Sequence, residues 1–177
     1  MEPRVVSSGT ATGLRGGRGT GTADPVPFPS VAWFERLADE MASQHAEFAH
    51  IGPVDCVMQV TILDGGDGAG PWRAQVRFDN LEVSEVRIVS EADEEEADFI
   101  LETDLDTWRE MVESIVAGGG VPDLGHTLNR LSLPGTPIRL WGVDPVRRDA
   151  YYRFNQSLQH YVNNCAAFET VFGERSR

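Results

Sequence analysis

Residues 97–115 read ADFILETDLDTWREMVESI, and this stretch decides the fold because an alternating strand breaks into a capped amphipathic helix with no loop residues between them. Phe99 and Leu101 fall on one face of a period-two strand, and Trp108, Met111, Val112 and Ile115 form a stripe at helical spacing. Either Thr103 or Asp104 is placed to cap the first free amides of the helix. Arg109, one position round from Trp108, falls on the face expected to be solvated. Strand and helix therefore share one core, the signature of a mixed α+β chain.

Working outward, residues 72–79 give the clearest alternation of the chain: Trp72, Ala74, Val76 and Phe78 point one way, and Arg73, Gln75, Arg77 and Asp79 the other. That pattern predicts a strand with one buried and one solvated face. Cys56, Met58, Val60 and Ile62 mark the strand before it, across a Gly-rich turn at 64–71, and Val83, Val86 and Ile88 mark the strand after the Asp79-Asn80 turn. The acidic run Glu91, Asp93, Glu94, Glu95, Glu96 and Asp98 reads as a solvated loop leading into the strand at Phe99. Upstream, Ser30 is placed to cap a helix running to about residue 50, with Phe34, Leu37, Met41, Ala42, His45 and Phe48 expected inward. Downstream of Gly118-Gly119-Gly120, a short helix near 122–131 and a brief strand at 138–141 precede Asp144-Pro145, an N-cap and first-turn proline. From there Val146, Ala150, Phe154, Leu158, Tyr161, Cys165, Phe168 and Phe172 recur every three or four residues, which predicts one helix of about 40 Å. Residues 1–24 are rich in Gly, Thr, Ser and Arg and are expected to be a disordered leader, with a single domain over 25–173.

Composition excludes several kinds of chemistry. All 15 basic residues are arginine, so a Schiff-base enzyme, a pyridoxal-phosphate site and a Walker-type phosphate loop are ruled out, each needing a lysine. A formal charge of −13 opposes a nucleic-acid partner, since phosphates would be repelled over much of the surface. No apolar run approaches the roughly 20 residues of a membrane span, and the start lacks the apolar centre of a secretory signal. A cytoplasmic protein without integral membrane association is expected. Cys56 and Cys165 are expected to be buried thiols, and no cofactor is implied. His45 and His50 lie five apart, about 140° round a helix, and so do not share the face that metal ligands at i and i+4 require; no metal site is expected.

The 97–115 segment resembles the sterol carrier protein type 2 domain family, in which an alternating strand ends in a Thr or Gly, an acidic residue and a short helix carrying a Trp or Phe. The order helix, three antiparallel strands, fourth strand, helix, short strand and closing helix is similar to that family over residues 28–168. The cavity-forming helix-grip fold and the conical fold of small isomerases place their strands and helices in a different order. The resemblance implies a five-stranded, mostly antiparallel sheet with helices on one face and a long C-terminal helix, enclosing an apolar tunnel for acyl chains, sterols or related molecules. Carried over by position, it implies a ligand-binding lining of Met58, Val60, Ala74, Val76, Phe99, Leu101, Trp108, Phe154, Leu158 and Tyr161. The chain differs in a longer stretch after Gly120 and in the length of its closing helix.

On that closing helix Tyr151, Tyr152, Asn155, Gln156, Gln159, Asn163 and Asn164 interleave with Phe154, Leu158 and Tyr161. Such an edge orients a polar head group while apolar bodies hold a tail. The reading is a non-catalytic carrier of a small apolar or amphipathic ligand with no assigned catalytic residue. A homodimeric or accessory module using the same apolar surface against a partner protein is the alternative. Whether the chain is an enzyme is left open, with His126 beside Asp123, or His160 beside Tyr161, as the bases such a reading requires.

Overall fold

The structure is a computed structural model and describes residues 24–65 and 70–173; the leader expected at the start of the chain falls almost wholly outside them. In chain order the elements are β1 (Val26–Phe28), α1 (Val31–Ser43), α2 (His45–Ile51), β2 (Cys56–Ile62), β3 (Trp72–Asp79), β4 (Glu82–Ile88) and β5 (Phe99–Thr103). They continue with α3 (Leu105–Ala117), α4 (Leu128–Leu131), β6 (Arg139–Trp141), α5 (Pro145–Arg148), α6 (Ala150–Asn163) and β7 (Thr170–Phe172). The main sheet has five strands in the order β4-β3-β2-β5-β6, and only β2 and β5 pair in parallel. This is the α+β, mostly antiparallel architecture expected from the alternation.

The inward face of β2 offers Cys56, Met58, Val60 and Ile62 to the helices, with Val76 and Phe78 of β3 and Phe99 and Leu101 of β5 beside them. Trp108, Met111 and Ile115 of α3, and Leu158, Tyr161 and Val162 of α6, close over that face with no measurable exposure. Asp104 is the residue that caps α3, accepting from the Thr107 amide at 2.8 Å. Thr103 instead donates to the Pro137 carbonyl at 3.0 Å, fastening the end of β5 to the turn before β6. Ser30 caps α1 as its spacing predicts.

The opposite face of the sheet differs from the expectation. Because β5 lies beside β2 while β4 sits at the far edge, the chain between them must traverse the sheet, and residues 89–98 do so on its reverse face. They form a 3-10 helix, Glu91–Glu96, in place of the expected loop, with Glu91, Glu95 and Glu96 exposed as that reading anticipates. Arg73 meets Glu94 at 3.5 Å and Arg87 pairs with Glu96, while Gln75 donates to the Asp93 carbonyl at 2.9 Å and to Gln59 at 3.1 Å. Gln59, Thr61 and Gln75 are buried in consequence. The acids of this run match the arginines of the strand face they cross, and of the β3 face expected to be solvated Arg73 and Gln75 are covered while Arg77 and Asp79 are exposed.

Two helices are shorter than their apolar periodicity predicts. The first breaks at Gln44, whose φ of −109° and ψ of 31° leave the helical region; Ala42 and His45, expected inward, are exposed, and α2 turns Phe48 into the core, 4.8 Å from the His160 ring. The expected C-terminal helix to Phe172 is three pieces: α5, α6 and a 3-10 turn Asn164–Ala167, after which the chain extends as β7. One cause is Arg147, which fixes α5 to the sheet through Asp98 at 2.8 Å and through the Glu95 and Glu96 carbonyls. The other is β1: Val26, Pro27 and Phe28 pair in parallel with Thr170, Val171 and Phe172, and Trp33 donates to the Thr170 hydroxyl at 2.9 Å. That pairing encloses an aromatic cluster in which Phe28 lies 4.8 Å from Trp33 and 5.4 Å from Trp108.

Arg109 is also misplaced by the helical wheel. It is buried at 7% exposure, donates to the Gly173 carbonyl at 2.9 Å and lies 5.3 Å from the Phe172 ring, because β7 covers the side of α3 expected to face water. Trp108→Ala should lose about 3 to 5 kcal/mol as a core truncation. Arg109→Ala should lose about 1 to 3 kcal/mol through its carbonyl bond and packing rather than behave as a surface change. Chemical denaturation of the two variants beside the parent measures both, and a neutral Arg109→Ala would contradict the docking of β7.

Candidate functional site

A cleft of about 440 Å³ opens along one edge of α6, with Asn155, Gln156, Gln159, His160 and Asn163 on the helix side and Thr127, Asn129 and Ile51 opposite. Helical spacing puts the α6 members together: positions i, i+1, i+4, i+5 and i+8 share one side of a helix. Four of the amides anticipated as an orienting edge, Asn155, Gln156, Gln159 and Asn163, are thus brought to one cavity. Tyr151, Tyr152 and Asn164 are placed elsewhere: Tyr151 and Asn164 are buried, and Tyr152 lines a different cleft. Thr127 and Asn129 carry no signal in the sequence, because they reach the cleft through the docking of α4, whose Leu128 amide donates to Gln159 Oε1 at 2.7 Å.

The hydrogen bonds in the cleft show which groups are committed. Gln159 also donates to Asn163 Oδ1 at 2.8 Å, Asn155 donates to the Tyr152 carbonyl at 3.0 Å, and His160 Nε2 lies 3.2 Å from Glu47 Oε2. No described residue lining the cleft is arginine, aspartate or glutamate. Its chemistry is that of neutral amides and an imidazole, suited to a hydroxyl, ester or amide group rather than to a charged one.

Of the ten residues expected to line a tunnel, nine (Met58, Val60, Ala74, Val76, Phe99, Leu101, Trp108, Leu158 and Tyr161) have no measurable exposure and lie between the sheet and the helices. Phe154 is partly buried and faces a separate cleft with Val146, Arg147 and Arg153. The Tyr161 hydroxyl donates to the Phe34 carbonyl at 2.7 Å, tying α6 to α1, and burial holds its pKa well above the ordinary value. The apolar stripe of α6, which the alternative reading assigns to a partner chain, turns Tyr151, Leu158, Tyr161 and Val162 inward.

The groups available for acid–base or nucleophilic work are arranged for structure. Asp123 gathers His126 Nδ1 at 2.8 Å, the Ser114 hydroxyl at 3.0 Å and the Gly125 amide at 2.8 Å, and these bonds, His126 first, lower its pKa. The carboxylate sits between serine and histidine, the reverse of the order in which a histidine activates a hydroxyl. Burial pushes the Cys56 thiol well up, with Asp98 and Asp55 adding to it, and pushes Cys165 up to about 12. Among the described residues no group of three or more His, Cys, Asp and Glu side chains is placed to hold a metal ion, and no helix is long and apolar enough to cross a membrane.

No family model and no curated protein sequence matches the chain. Among solved structures, a crystal structure of sterol carrier protein 2 superposes with a TM-score of 0.53 at 18% identity, over 77% of this chain and 95% of that one. The solution structure of a conserved hypothetical protein from Thermus thermophilus, described as possibly a sterol carrier protein, gives 0.47 at 18% identity, over 80% and 90%. The protein is an α+β chain with the fold of sterol carrier protein 2.

Thiolate is the reacting form of cysteine, and both thiols are buried with raised pKa. Neither Cys56 nor Cys165 should react with iodoacetamide at pH 8 in the folded protein, while both should be modified in denaturant. Mass spectrometry of the alkylated chain reads this directly, and rapid labelling of either site in the native state would contradict the packing around it.

Proposed function

We propose that this protein is a non-catalytic, cytoplasmic carrier of a small apolar or amphipathic molecule of lipid, fatty acyl or sterol-like type. The fold shared with sterol carrier protein 2 supports this reading, and one observation carries it: the neutral amide cleft lies on the edge of the same helix whose inner face covers the apolar core. A ligand's polar end sits among Asn155, Gln156 and Gln159. Its apolar body lies beneath α6, against Met58, Val60, Ala74, Val76, Phe99, Leu101, Trp108, Leu158 and Tyr161, with Phe154 at the border.

That interior is filled by the chain's own side chains, so the ligand enters by displacing them. Met41, Met58 and Met111 are among the buried residues, and methionine is the side chain that repacks most readily around a variable shape. The reading thus requires movement of α6 away from the sheet.

Native mass spectrometry of the purified protein, and titration with a neutral fluorescent sterol or a pyrene-labelled acyl ester, test the carrier role. Saturable one-to-one binding is expected. Gln156→Ala removes an exposed amide and should weaken binding about two- to tenfold, the range of one lost hydrogen bond, with the melting temperature unchanged. Absence of both copurified lipid and probe binding would overturn the proposal.

A further inference from the structure

A second cleft, of about 460 Å³, lies near the N-terminal end of α6, between the turn at 132–138, β6 and the α5–α6 junction. Its chemistry is different. Arg139 and Arg148 enter it from separate elements, beside Leu133, Ile138, Leu140 and Tyr152, and no described residue lining it is acidic. In a chain of net charge −13, two guanidinium groups enter one concavity whose lining holds no carboxylate, their acidic partners Glu102 and Asp149 lying outside it.

The hydrogen bonds already made within the cleft narrow what fits. Ser132 and Thr136 also line the cleft, but their hydroxyls already donate to or share bonds with the Leu128 carbonyl and Tyr151, and with the Leu131 and Leu133 carbonyls. The side-chain donors left for a ligand are on the two arginines and Tyr152. Arg139 gives one nitrogen to Glu102 at 3.0 Å and rests 5.0 Å from the Trp141 ring, which aims the guanidinium while leaving it 66% exposed. Arg148 has only a long contact to Asp149, 3.6 Å, and its buried Nε finds no hydrogen-bond partner among the described residues. The Arg148 side chain is 40% exposed, so its terminal nitrogens are the donors open to an anion in the cleft. Leu133 and Tyr152, 44% and 55% exposed, extend the cleft as an apolar wall.

We propose that this cleft is a second binding site, for an anionic amphiphile: a carboxylate or phosphate held by Arg139 and Arg148, with its apolar body laid along Leu133, Leu140 and Tyr152. The same chemistry is offered by a free amphiphile and by an anionic lipid in a bilayer. In either case it differs from the neutral group suited to the amide cleft, and the site stands without the carrier reading.

Dodecyl phosphate, below its micelle concentration, is titrated into the full chain and followed by calorimetry and by the arginine Nε–Hε signals in nitrogen-15 spectra. Binding is expected with a shift of the Arg148 signal, weakened by salt. Arg148→Ala should reduce affinity about tenfold or more, the scale of a hydrogen bond to a charged group, and the double variant with Arg139→Ala should abolish it. Arg148→Gln, which keeps the side-chain stem packed near Gly142, gives the same loss if the alanine variant does not fold. Cosedimentation with phosphatidylcholine vesicles, with and without phosphatidylglycerol, identifies the source. Charge-dependent pelleting lost in the double variant assigns a membrane lipid, and dodecyl phosphate binding without pelleting assigns a free amphiphile. Equal binding of dodecyl maltoside, or affinity unchanged in the arginine variants, overturns the site. The neutral sterol probe should bind the arginine variants as it binds the parent, so failure here is distinguishable from failure of the carrier reading.

Discussion

The parallel pairing of β5 with β2 is the constraint on which the rest of the structure depends. Every other contact in the main sheet is antiparallel, and hairpins alone would leave the reverse face bare. Setting β5 on the far side of β2 from β3 forces the chain across β3 and β2, three strand spacings or about 14 Å. The crossing segment pays for its position with charge: its acids meet Arg73 and Arg87, its backbone accepts from Gln75, and Arg147 locks its end. β2 is consequently buried along its whole length on both faces. The helices can then be devoted to the other side, where the aromatic core and the α6 edge are built.

This arrangement also explains why two binding chemistries sit along one helix. The N-terminal end of α6 is held through α5 near the crossing segment and β6, which brings Arg139 and Arg148 to a common cleft beside Tyr152. Its middle is held by Tyr161 against α1 and by Gln159 against α4, which turns its amides outward together. A helix fastened at several points by side chains presents successive turns to distinct surroundings, and the neutral and cationic clefts follow from that fastening.

Elements with local signals were legible in the sequence. The strands at Cys56, Trp72 and Phe99 alternate over five to eight residues, and α3 follows its strand with a cap and a stripe, so their periods specify them without tertiary help. The covering of Gln59 and Gln75 was not legible, because a polar face crossed by matching charges has the same alternation as one facing water. The end of the closing helix is hidden for a related reason: Phe168 and Phe172 continue the helical spacing, yet β7 is set by a partner strand more than 140 residues earlier. Arg109 is covered by that same distant strand, which its place on the helical wheel does not encode. In the amide cleft the α6 members were visible through their spacing, whereas Thr127 and Asn129 depend on where α4 docks. The cationic cleft joins residues nine apart on different elements, a proximity no helical or strand period encodes.

The pairing of Val26–Phe28 with Thr170–Phe172 has a kinetic meaning. Its two strands are the most distant in sequence of any that pair in the described chain, and closing so long a loop costs entropy that only the finished aromatic cluster returns. The main sheet and α3 are therefore set to form first, with this clasp as the late step. In the native ensemble the same clasp is the natural place for partial opening: three residues a side hold Trp33, Phe28 and Trp108 away from water. Hydrogen exchange across the molecule would then report a cooperative unit of lower stability joining its first and last strands, although those segments stand at opposite ends of the described sequence.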